Sequence, residues 1–115
     1  LQFLSESLLC VSIPRVLPIH HGGVGSTAVN GAVISFLFDL SLGLTAYLVK
    51  DNQFIFSATS RISIQFKKPL YSKSVFCFAK IESIKRNLIY AKAWIENEES
   101  TVFADAEGIL FTKSK

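Results

Sequence analysis

The chain is poor in the residues that make metal and redox chemistry. Its 115 residues include two cysteines, Cys10 and Cys77, and two histidines, the adjacent His20 and His21. No C-x-x-C or comparable ligand spacing occurs and two cysteines make no disulfide framework, so we expect no metal centre and a reducing, cytoplasmic setting. Repeats, low-complexity tracts and linker-like stretches are missing as well, which predicts a single domain over 1–115. Leu1 to Cys10 lacks a basic leading segment and is broken by Ser5, Glu6 and Ser7, so it does not read as a signal peptide. Nucleic-acid motifs are absent, and a net charge of +3 alone does not imply such a partner. Half of the chain is hydrophobic, with ten phenylalanines, so disorder is excluded for the bulk.

The most informative scarcity is local. Between Val16 and Val49 the only Asp, Glu, Lys or Arg is Asp39, in the middle of the most apolar stretch of the chain. Val33, Phe36, Leu37, Leu40 and Leu44 recur at helical spacing, while Ile34, Phe38, Leu42 and Leu48 occupy the other sides. A helix apolar all round belongs in a core or a membrane. The length approaches a span, but Asp39, the interior Gly43 and the lack of a basic flank before Asn30 argue for a core. An ionised carboxylate in such a place must be paired, metal-bound, open to a wet cleft or catalytic. Asn30 and Gly31 supply a helix start whose free N–H groups suit a developing negative charge. Burial would raise the pKa of Asp39 and the helix dipole would lower it, and residue types alone do not decide between them.

Around this helix the chain reads simply. Leu1, Leu4 and Leu8 predict a short amphipathic helix over Leu1–Cys10, and Val11 to Leu17, interrupted by Pro14, predicts a short edge strand. His20 to Val29 is a loop rich in glycine and small residues. After the polar break at Lys50-Asp51-Asn52, four strands are predicted as an antiparallel meander: Phe56–Phe66, Ser74–Arg86, Leu88–Glu96 and Thr101–Thr112. In the first, Thr59, Arg61, Ser63 and Gln65 share one face and Ala58, Ile62, Ile64 and Phe66 the other. In the last, Gly108 predicts a bulge or bend. The expected fold class is α+β, one hydrophobic helix wrapped by a curved antiparallel sheet. Ten of the twelve basic residues follow Ser60, which suits an anionic ligand, although lysines on open strand faces are common. Tyr90 and Trp94, on the exposed side of the meander, would allow a further interface.

With these pieces in order, the chain resembles the hotdog-fold thioesterases of the phenylacetate-degradation type. In that family a His-Gly-Gly run opens the helix and a carboxylate follows nine positions after the His; Asn30-Gly31-Ala32 and Asp39 keep that spacing. Thr59, the Phe66-Lys67-Lys68-Pro69 strand end and the Phe103-Ala104-Asp105-Ala106-Glu107-Gly108 segment are similar to the family's later motifs. The resemblance implies hydrolysis of a short-chain or aryl acyl-CoA to free acid and CoA. It implies a homodimer with sheets joined edge to edge and sites across the interface, with room for a dimer of dimers. No cofactor is implied beyond the coenzyme A of the substrate. By position, Asp39 is the general base or nucleophile, Gly31 N–H the oxyanion donor, and Thr59, from the other subunit, the group that positions water or carboxylate. Asn30 stands for the usual His, as a cap or a donor to the thioester oxygen, and Ala32 stands for the second Gly. A literal His21-Gly22-Gly23 lies eighteen residues before Asp39 and is expected to contact substrate. Lys67, Lys68, Lys85 and Arg86 are the candidates for the CoA phosphates. The alternative is a catalytically weak module that binds acyl-CoA or serves dimerisation. A dehydratase of the same fold would need a catalytic His, and none lies in the helix or after it.

Overall fold

The computed structural model describes residues 1–22, 28–49 and 54–114, with backbone alone at 54–56 and 114. Strands β1 (Gln2–Phe3) and β2 (Leu8–Ile13) precede helix α1 (Gly31–Leu44), which tightens into a 3-10 turn over Thr45–Leu48. Strands β3 (Phe54–Phe66), β4 (Val75–Lys85), β5 (Leu88–Glu96) and β6 (Val102–Ser114) complete one six-stranded sheet in the order β1-β2-β4-β5-β6-β3. Every pairing is antiparallel, and α1 lies across one face of the curved sheet. This is the hotdog arrangement, as the fold class read from the sequence requires.

Two expectations are corrected. Leu1–Cys10 is not a helix: Gln2 and Phe3 pair with Cys10 and Leu9, and Leu8–Ile13 pairs with β4. Partners remote in sequence overrode the local helical spacing, and β2 lies inside the sheet rather than at its edge. Nor are the four later strands a simple meander. Only β4, β5 and β6 follow one another, whereas β3 crosses over to pair with β6 and forms the long outer edge.

The core lies between the sheet and one side of α1. Ile34, Leu37, Phe38 and Leu42 are buried against Leu9, Val75, Cys77, Ile89, Ile95 and Leu110. Burial pushes the Cys77 thiol up to about 12, an effect that the adjacent Ser41 hydroxyl opposes, so this thiol is an inert core group. The other side of the helix is bare: Phe36 is 64% exposed, Leu40 38% and Tyr47 71%. The curved sheet covers one face of α1 and leaves the other open in a single chain. By length and composition alone Gly31–Leu48 could cross a membrane, but 39% of that stretch is buried inside the fold.

Gly108 does not itself make the bulge. The ladder slips on β3, where Thr59 pairs with Leu110 and Arg61 with Ile109, leaving Ser60 as the extra residue. Gly108 serves the approach of the helix, because a Cβ there would meet Leu42 Cδ1 at 2.9 Å and Leu42 is fully buried. Gly108→Val is therefore expected to cost about 1–3 kcal/mol by overpacking. Chemical denaturation measures this, and Leu42→Val in the same chain should recover part of the loss.

Candidate functional site

The Ser60 bulge decides which way Thr59 points. Strict alternation puts Thr59 with Arg61, but the extra residue reverses the parity and sets Thr59 opposite buried Leu110, on the helix side. Thr59 Oγ1 there donates to Asp39 Oδ1 at 2.8 Å. The resemblance drew Thr59 from the opposite subunit; the pair instead closes within one chain. Both residues are exposed and line an open groove of about 320 Å³ with Leu40, Gly43 and Ser57. Asp39 has thus escaped the cost of burial in a single chain by facing outward from the bare side of α1.

A second cluster forms at the start of the helix. Asn30 is the cap: its Oδ1 accepts from Ala32 N–H at 2.8 Å, and its own N–H donates to the His20 carbonyl at 2.7 Å. Gly22 packs against the Asn30 side chain so closely that a Cβ would lie 2.5 Å from Nδ2. His21 bridges to Val29, so the His21-Gly22 loop is folded back onto the helix start; Gly23 lies outside the described residues. Gly31 N–H has no partner among the described residues, whereas Ala32 N–H is taken by the cap. Ala32 is exposed and does not crowd this opening from within the chain.

The two clusters are not adjacent. Gly31 and Asp39 are eight residues apart on one helix, about 12 Å at the α-helical rise. A single carbonyl cannot meet both from the same chain. The cations divide in the same way. Lys67 and Lys68 follow Phe66, whose ring lies 4.0 Å from where a Cβ on Gly31 would sit, with Lys67 paired to Asp105 at 3.1 Å and Lys68 held 5.2 Å over the Phe103 ring. Lys85 and Arg86 sit at the β4–β5 turn, at the other end of the sheet. There Lys85 lies 5.7 Å over Tyr90, and Arg86 takes the left-handed conformation at φ 54°.

Sequence reasoning took His20 as an ordinary loop histidine and gave it no place in the site. It closes a one-turn 3-10 helix (Pro18–His20) and lines a groove of about 510 Å³ between β2 and α1, together with Val11, Ile13, Ala32, Phe36 and Leu40. Its neighbour His21 belonged to a readable Gly-rich motif, while the place of His20 depends on a hydrogen bond to Asn30 that no local pattern announces.

Residues 27–104 match the model of the thioesterase superfamily, and the chain belongs to that family. A Shewanella oneidensis protein related to the thioesterase superfamily is similar in structure at TM-score 0.84 and 17% identity, over 94% of this chain and 78% of that one. A Bacillus halodurans protein crystallised with CoA aligns at TM-score 0.78 and 19% identity, over 92% of this chain and 68% of its own. A Streptococcus mutans protein bound to acetyl-CoA aligns at TM-score 0.75 and 17% identity, covering 95% and 83% respectively. No curated protein matches the chain.

The cap bond makes a stability prediction independent of chemistry. Asn30→Ala should cost about 0.5–2 kcal/mol in thermal or chemical unfolding, and Asn30→Ser should retain most of it.

Proposed function

We propose that this protein is an acyl-CoA thioesterase of the phenylacetate-degradation type, acting on short-chain or aryl acyl-CoAs as a homodimer with two composite sites. The observation that carries the reading is the Thr59–Asp39 hydrogen bond at 2.8 Å on an otherwise apolar helix face. Family membership and the CoA-bound neighbours support the substrate class.

What one chain leaves open supports the dimer. The stripe Ala32, Phe36, Leu40, Gly43 recurs along the bare side of α1, and the 13-residue β3 forms an edge of the sheet with no strand beyond it among the described residues. A second copy related by a two-fold axis would cover both, by edge pairing of β3 and antiparallel packing of α1. Antiparallel helices bring Gly31 of one chain beside Asp39 of the other, which removes the 12 Å separation. The Asp39 carboxylate, held by Thr59, takes a proton from water as the oxygen attacks the thioester carbon. The facing Gly31 N–H stabilises the oxyanion; the C–S bond then breaks and the CoA thiolate accepts the proton. Lys68, in no ion pair among the described residues, is the best-placed cation for a CoA phosphate. The free, buried Cys10 and Cys77 suit a cytoplasmic setting.

Thiol release from short, aromatic and long acyl-CoAs tests this with Asp39→Asn, which keeps size and removes charge. We expect turnover of at least one substrate and a loss in kcat of about 10²–10⁴-fold in the variant. No turnover with any acyl-CoA, or equal turnover in both proteins, would leave a binding module as the better account.

A further inference from the structure

An oxyanion site built from one backbone N–H is incomplete by the standard of acyl transfer, where two or more fixed donors usually converge on the developing charge. At the start of α1 the Ala32 N–H is already used by the Asn30 cap, and the Asn30 amide is packed against Gly22. Among the described residues the Gly31 and Val33 N–H groups have no partner there, and Gly31, exposed at the first helical position, is the one open to a thioester oxygen; a side chain can add a second donor.

His20 is placed to be that donor. Its carbonyl accepts from Asn30 N–H at 2.7 Å, which ties the residue to the helix start. Its Nδ1 accepts from Leu17 N–H at 2.8 Å, so Nε2 is the ring nitrogen left to carry the N–H. The half-buried ring lines the same groove as Ala32, and Nε2 is the nitrogen that the Leu17 bond leaves over. The groove is otherwise mostly apolar, as an acyl group would need; Ala32, the residue after Gly31, lines it, and in the proposed dimer its Ala32, Phe36 and Leu40 wall faces the partner's helix, so the acyl group would lie between the two. We propose that His20 Nε2–H is a second donor to the thioester carbonyl oxygen, acting with Gly31 N–H of the same chain. This rests on the thioesterase reading and adds a catalytic residue to it. The imidazole transfers no proton in this role; it is a fixed dipole aimed at the oxygen.

Steady-state kinetics on His20→Ala and His20→Gln, with inhibition by free CoA measured alongside, tests the assignment. CoA lacks the carbonyl, so a donor to that oxygen has no part in CoA binding. We expect kcat to fall on the order of 10²-fold in His20→Ala and to recover at least tenfold in His20→Gln, which restores an N–H donor. KM and the CoA inhibition constant should stay within about twofold of the native values. Native kcat in His20→Ala overturns the proposal while leaving the thioesterase intact. Losses in which CoA inhibition weakens in step with kcat, with no recovery in the glutamine variant, also overturn it, because His20 then only shapes the groove. A native protein that releases no thiol from any acyl-CoA removes the thioesterase reading and this one together.

Discussion

A helix that is apolar on all sides, laid across a single sheet, has only one side covered. That mismatch governs this molecule. Ile34, Leu37, Phe38 and Leu42 reach the sheet, whereas Phe36, Leu40 and Tyr47 are left facing outward, with Asp39 among them. Strand β3 ends the sheet as a long edge. Exposed apolar stripes and open strand edges both favour association, and a second copy is the partner whose symmetry would serve both.

The chemistry inherits this geometry. The helix offers two different resources at two different places: open N–H groups and a positive dipole end at Gly31, and a carboxylate held by Thr59 two turns further on. They cannot act on one carbonyl within a chain, and in the proposed dimer the bare helix side would become a working surface when a second helix runs back along it. The Ser60 bulge is the small distortion on which this depends. Without the extra residue Thr59 would share the outer face with Arg61 and Asp39 would lose its hydroxyl partner.

Much of this was legible in the residues. The long helix was readable because Asn30 marks its cap and fourteen residues hold a continuous apolar pattern, and β4 and β5 because alternation is strict along most of their length. Asp39 was conspicuous for being alone. What was hidden is non-local. The strand character of Leu1–Cys10 is imposed by β4, the place of β3 by pairing with the last strand, and the face of Thr59 by one residue out of register. His20 was hidden for the same reason, since its position is set by Asn30, ten residues later. Periodicity reports faces within a segment; it carries no information about a bulge or a partner strand.

The central claim, a site shared between two chains, is most directly measured by subunit complementation. Gly31→Pro removes the free N–H at the first helical position, where proline is tolerated, and the extended backbone of Asn30 accommodates it. Asp39→Asn removes the carboxylate. Each variant alone should be nearly inactive. Heterodimers carrying one chain of each contain one site with both groups intact, and should regain about half of the native turnover per dimer if the sites are composite. Heterodimers no more active than either parent would place Gly31 and Asp39 in the same chain's site and contradict the account.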